Sequence, residues 1–290
     1  MTFIKMVAVL MALLLALLLL AACDAGTTGV TESEPAAEAV VSDAITEPTV
    51  SGEGLAEPVQ VTAIPSTDVA PDIATSVATE SVVVEAADGL AVQGTLYAPA
   101  DDQPHPGVIL LHMLGSSREA WVDSGLTIML AENGYTVLAV DMRGHGETGS
   151  DQDWEQTPGD IERVWTYFTE RPEVDAERTA IVGASIGANL ALITAANEPA
   201  INTVVLLSPG LDYQGLTTND AVVAYGERPI LLVASQEDTY SADSVRRLEE
   251  LAQGEAQLEV YSEAGHGTAM LDRQPALAEV ILAWLNQHLK

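Results

Sequence analysis

The chain has 290 residues, 48% of them apolar, with 43 acidic against 11 basic side chains, a net charge of −32 and one cysteine. That is enough apolar chain for a full buried core. The charge argues against nucleic acid and anionic lipid headgroups as partners, and a single cysteine excludes an internal disulfide.

Residues 1–22 read as a targeting segment. Lys5 is the only cation, residues 7–22 are an almost unbroken Leu/Ala/Val/Met run, and small residues follow before Cys23, the pattern of a signal peptide. Leu20-Ala21-Ala22-Cys23 resembles the bacterial lipoprotein signal. The resemblance implies that Cys23 becomes the new N-terminus, takes lipid, and anchors an exported protein to the outer face of the cell membrane. Several acyl chains hold far better than one. The apolar run is also near the shortest length that spans a bilayer, so an uncleaved helix stays open as the anchor. Asp24 resembles an inner-membrane retention signal of two-membrane bacteria.

Residues 23–79 are rich in Ala, Thr, Ser, Glu, Pro, Val and Gly, without Lys or Arg. Such a stretch cannot bury enough apolar surface to order itself, and reads as a self-repelling spacer. Residues 80–290 are then one domain's worth of chain.

Within that domain, residues 81–85 and 90–97 alternate around Asp88-Gly89, a hairpin signal. Residues 107–111 are a wholly apolar strand, and residues 117–132 carry helical spacing through Trp121, Leu126, Met129 and Leu130. Strand 135–140 follows, then a helical stripe over 161–168, strand 179–182, helix 186–196, strand 201–207 and a short helix over 220–225. Strand 229–234, helix 243–252, strand 258–261 and an amphipathic helix over 276–289 complete the domain. Repeated strand and helix at this spacing predict an α/β fold, a mostly parallel sheet of about eight strands with helices on both faces. Ligands bind such sheets beyond the carboxyl ends of the strands.

The chemistry-bearing residues fall at those ends. Gly183-Ala184-Ser185-Ile186-Gly187 lies between strand and helix, where flanking glycines permit the tight turn that lifts a serine hydroxyl above the sheet. A serine hydroxyl is a poor nucleophile at neutral pH without an imidazole in reach. His266, between Gly265 and Gly267 after the last strand, is the candidate base. An acid must hold that imidazole in one tautomer. Asp238 is the first candidate, with neighbouring Glu237 and, one strand earlier, Asp212 as rivals. An anionic intermediate needs backbone donors. Ile186 supplies one, and the loop Leu111-His112-Met113-Leu114-Gly115-Ser116 the other, from Leu114 or, second, Met113. His105 and His288 read as solvated. No His/Cys/carboxylate spacing suits a metal and no loop has cofactor spacing, so none is expected.

Asp141-Met142-Arg143-Gly144-His145-Gly146-Glu147-Thr148 resembles the loop beyond the fourth strand of α/β hydrolases, in which Asp141, Arg143 and His145 would shape the loop. With the elbow, the oxyanion loop, the acid and the histidine in order, the resemblance extends over residues 80–290. It implies the α/β-hydrolase fold. Met113 departs from the glycine usual in the oxyanion loop, which leaves the donor's identity open. Only about twenty residues separate strands 201–207 and 229–234, too few for a helical cap domain, so the chain resembles capless dienelactone hydrolases and small carboxylesterases. The expected function is a serine carboxylic-ester hydrolase acting through an acyl-enzyme on a small-molecule ester. A peptidase or thioesterase with the same three residues, or a binding protein that has lost its chemistry, stays open.

Overall fold

The computed structural model describes residues 77–290. The expected signal segment, Cys23, Asp24 and the spacer up to residue 76 lie outside the described residues.

Ten strands and eight helices follow one another in the described residues: β1 (Val77–Glu85), β2 (Ala91–Pro99), β3 (His105–Leu111), α1 (Glu119–Asp123), α2 (Leu126–Glu132), β4 (Thr136–Val140), α3 (Thr157–Thr169), β5 (Val174–Ala184), α4 (Ile186–Asn197), β6 (Thr203–Leu207), β7 (Asp212–Tyr213), β8 (Leu216–Thr217), α5 (Asn219–Tyr225), β9 (Ile230–Ser235), α6 (Thr239–Leu251), β10 (Ala256–Tyr261), α7 (Ala269–Arg273) and α8 (Ala276–Leu289). Eight strands make one sheet in the order β1-β2-β4-β3-β5-β6-β9-β10. The β1–β2 and β2–β4 pairings are antiparallel and the rest parallel. This is the expected mostly parallel, eight-stranded sheet.

Alternate residues of each central strand point to opposite faces and feed two separate cores. Ile109, Leu138, Ile181, Val204 and Leu232 pack beneath α3, α4 and α6 in one. Val108, Val137, Val182, Val205 and Leu231 pack beneath α1, α2 and α8 in the other. Strands covered on both faces need apolar side chains at every position, which is why they read as continuous apolar runs. Burying each such side chain contributes roughly 1.5–3 kcal/mol. The helix after Ser185, α4, is buried nearly all round, from Ile186 through Ala195, so the element that carries the serine cannot shift without disturbing the first core.

Several elements differ from expectation. The single helix over 117–132 is two, because Gly125 at φ 75° takes a left-handed conformation that ends α1 and starts α2. The first strand begins at Val77, three residues inside the stretch assigned to the spacer, and pairs with β2 as far as Pro99. Between β6 and β9 stand only the β7–β8 hairpin and the seven-residue α5. The sequence pattern does not announce the hairpin. Its turn residues Gln214 and Gly215 sit at φ 56° and 85°, the two consecutive positive values of a two-residue hairpin turn, and Gln is not a residue that announces one. His288 is not solvated. Its ring packs 4.1 Å from that of Trp284 and its side chain is 11% exposed, because α8 turns that face onto the sheet.

Candidate active site

The turn from β5 to α4 holds Ser185 at φ 54° and ψ −120°, a backbone conformation that L residues avoid and that is found where surrounding structure enforces it. The enforcement comes from both sides. A Cβ at Gly183 would overlap the Gly187 carbonyl, and one at Gly187 would overlap the Leu111 carbonyl. The Ser185 N–H donates to the Leu207 carbonyl at 2.7 Å, tying the turn to the neighbouring strand.

His266 follows β10 in a loop bent by Gly265 and Gly267, at φ 84° and 59°. Its Nδ1 lies 2.6 Å from Asp238 Oδ2. With Nδ1–H donated to Asp238, Nε2 is the ring nitrogen left for Ser185 in the pocket that both line. Asp238 is the N-cap of α6, where it also accepts from the Ser241 N–H. Burial raises its pKa, but the hydrogen bonds from His266 and Ser241 more than offset that, and the net shift is downward. The carboxylate is therefore charged at neutral pH.

The two rival acids are engaged elsewhere. Glu237 Oε2 accepts from the Ser235 hydroxyl and the Glu263 N–H, each at 2.7 Å, and these bonds, that from Ser235 foremost, lower its pKa. It braces the start of the His266 loop. Asp212 is exposed, and its carboxylate accepts from the Gly215 N–H at 2.8 Å to close the β7–β8 turn.

The loop after β3 is held from beneath by His112, which is fully buried. Its Nδ1 lies 2.8 Å from the Met113 carbonyl and its Nε2 accepts from the Met142 N–H at 3.0 Å. Burial, above all, pushes its pKa down to about 4, so the ring is neutral and makes both bonds at once. The Met113 carbonyl also accepts from the Ser116 N–H at 3.2 Å. Across a trans peptide the Leu114 N–H points opposite that carbonyl. Neither the Leu114 N–H nor the Ile186 N–H has an acceptor among the described residues. Ile186 opens a helix, where free N–H groups and the helix dipole favour negative charge.

Ser185 and His266 share a pocket of about 210 Å³ whose other walls are Met113, Leu114, Ile186, Tyr213 and Gln214. A larger hollow of about 600 Å³ is walled by Glu162, Arg163 and Tyr167 among others, and it contains none of the candidate residues. Tyr213 and Gln214 belong to the β7–β8 turn and were missed because that turn was. The Tyr213 ring stands edge-on to His266, centroids 6.5 Å apart. Burial foremost raises its pKa, keeping the phenol protonated.

Asp141, Arg143 and His145 hold their own loop. Asp141 accepts from the Arg118 and Glu147 N–H groups at 2.7 and 2.8 Å and pairs with the Arg118 guanidinium. Arg143 bridges Asp160 and Asp88, Nε to Asp160 and Nη1 to Asp88 each at 2.7 Å. His145 Nδ1 lies 2.9 Å from the Arg143 carbonyl, and the ring does not line the pocket of Ser185 and His266. His105 pairs with Asp101 at 2.8 Å.

A family model described as serine aminopeptidase, S33, matches residues 102–228. Among curated proteins the chain is similar to the polyketide transferase ATR5 of Stachybotrys chlorohalonatus, 26% identical over 138 residues, which are 46% of each chain. The matched stretch thus spans about half the length of that relative. Among solved structures it is similar to an acetyl xylan esterase from Paenibacillus, with a TM-score of 0.65, 17% identity, and coverage of 77% of this chain and 87% of that one. It is likewise similar to a dienelactone hydrolase from Anabaena variabilis, with a TM-score of 0.62, 20% identity, and coverage of 74% and 99%. The described residues have the α/β-hydrolase fold.

Proposed function

We propose that this α/β-hydrolase-fold protein is a serine hydrolase of small carboxylic esters. The observation that carries the proposal is one constellation: a serine held at φ 54° between β5 and α4, sharing a pocket with a histidine whose Nδ1 is 2.6 Å from a half-buried carboxylate.

In this reading the Ser185 hydroxyl attacks the ester carbonyl while His266 Nε2 takes its proton. Asp238 stabilises the imidazolium that results. The carbonyl oxygen becomes an oxyanion between the Leu114 and Ile186 N–H groups, donors that are already oriented and so cost no reorganisation. His266 then returns the proton to the leaving alcohol, and a water activated by the same imidazole releases the acid. The His266 side chain is 41% exposed, so water reaches the acyl-enzyme, which favours hydrolysis over transfer to another acceptor.

The small volume and the walls of Met113, Leu114 and Ile186 suit short acyl groups. Peptidase chemistry with the same residues is the second reading, favoured by the description of the matching family model. It ranks lower because the pocket walls carry no carboxylate to receive a free amine. The proposal also keeps the protein exported and tethered by lipid on Cys23, resting on Leu20-Ala21-Ala22-Cys23 alone.

The test is acid release from p-nitrophenyl acetate, butyrate and octanoate, beside an amino-acyl p-nitroanilide. The short esters should turn over, and Ser185→Ala should reduce turnover by about 10⁴-fold or more. A fluorophosphonate should label the protein at Ser185 and leave Ser185→Ala unlabelled. Ester turnover that survives Ser185→Ala undiminished sinks the proposal.

A further inference from the structure

Ser185, Asp238 and His266 stand on three separate loops, and nothing local to any of them makes them meet. Ser185 directly, and His266 and Asp238 through the neighbouring residues Gly267 and Ser241, are tied to one two-residue step, Leu207-Ser208, where β6 ends. The Leu207 carbonyl accepts from the Ser185 N–H at 2.7 Å. The Ser208 hydroxyl accepts from the N–H of Gly267, the residue after His266, at 3.0 Å. The Ser208 carbonyl accepts from the Ser241 hydroxyl at 3.3 Å, and the Ser241 N–H in turn donates to Asp238 Oδ1 at 3.4 Å. The Tyr213 hydroxyl, from the pocket wall, reaches the same carbonyl at 3.5 Å.

Ser208 is fully buried and sits at φ 52°, in the left-handed region where glycine is the unstrained residue. Its hydroxyl hydrogen is directed to Met270 Sδ at 3.3 Å, which leaves the oxygen free to accept from Gly267. A glycine here would relax the backbone and leave the Gly267 N–H without that acceptor. Strain held in place by surrounding structure is a feature of functional sites. The start of the His266 loop has its own supports, Glu263 N–H on Glu237 and Ala264 N–H on the Ser235 hydroxyl at 3.0 Å. Ser208 holds its end.

We propose that Ser208 is a positioning residue for the triad: its hydroxyl sets the His266 loop over Ser185 while its carbonyl steadies the start of the helix that carries Asp238. The assignment rests on the triad proposed above.

Two substitutions separate position from stability. Ser208→Ala removes the hydroxyl and keeps the strain, whereas Ser208→Gly removes the hydroxyl and relieves it. In both, kcat on p-nitrophenyl acetate should fall about 10- to 100-fold with KM changed less than about twofold, as misplacement of a reacting group by about an ångström does. Fluorophosphonate labelling of Ser185 should slow in step. Ser208→Gly should melt no lower than Ser208→Ala, since glycine adopts φ 52° freely. In parallel, the downfield proton resonance of His266 Nδ1–H reports the bond to Asp238 without any turnover, and it should broaden or vanish in Ser208→Gly. Wild-type kcat in Ser208→Gly, or a His266 resonance unchanged by it, overturns the assignment. If the wild-type protein neither hydrolyses esters nor takes up the fluorophosphonate, the esterase proposal fails instead, and the resonance still decides the role of Ser208.

Discussion

The carboxyl edge of the sheet is held in two unlike ways. Beyond β3 and β4 the loops are pinned by full charges: Arg118 on Asp141 and Glu147, Arg143 on Asp160 and Asp88, with both arginines less than a tenth exposed. Beyond β6, β9 and β10, where His266 sits, the braces are mostly serine hydroxyls: Ser208, Ser235 and Ser241. A buried charge pair is rigid, but its field reaches far in a low-dielectric interior. A hydroxyl positions a backbone N–H and adds no net charge that competes with the imidazolium or the oxyanion. The first half is built for shape; the second, on the function proposed above, serves a site where an imidazolium and an oxyanion form during reaction. Damage to the first should register as lost stability, and damage to the second as lost rate.

Asp238→Asn breaks the comparison most directly, because it keeps the size of the side chain and removes its charge. The expected loss is about 10⁴-fold in kcat, through the wrong histidine tautomer, with the melting temperature nearly unchanged. Steady-state kinetics beside a thermal melt checks it, and a large drop in melting temperature would place Asp238 among the shape-holding charges. Asp160→Ala probes the other half. It leaves the Arg143 guanidinium with Asp88 alone and should cost about 3–5 kcal/mol, the penalty for removing the buried partner of a buried charge. Urea unfolding measures the cost, and kcat of the folded fraction should stay within about twofold.

His112 lies between the halves, and its effect is smaller and depends on pH. Its folded-state pKa is about 4 against an ordinary 6.5, so between those values the unfolded chain binds a proton that the folded chain does not. Stability should therefore be fully present above about pH 6.5 and decline as pH falls toward 4, by about 3 kcal/mol from this group. Denaturant midpoints from pH 7 to 4 should show that slope in the wild-type protein, and a shallower one in His112→Asn.

What was legible in the sequence was what is decided within a few residues. Gly183 and Gly187 flank Ser185 because the turn leaves no room for a Cβ, and that need is visible in the string. The continuous apolar strands were visible for the same reason, since burial on two faces leaves no polar position. Glu237 stayed a rival to Asp238, because adjacent carboxylates on one loop take different tasks only once α6 begins at Thr239 and turns Asp238 toward His266. Ser208 was invisible, because its hydroxyl acts on a backbone N–H 59 residues away. The β7–β8 turn was missed because Gln214 occupies a left-handed position that Asn or Gly usually marks.

The close approach at Gly187 has a mechanical consequence. The Leu111 and His112 carbonyls occupy the space a side chain would need there, so the turn that presents the serine and the loop that presents Leu114 rest directly on one another. A molecule pressing on the exposed Leu114 side chain presses on the serine too. Displacing either surface removes the contact that seats the other, so Ser185 and Leu114 depend on the same few atoms for their places.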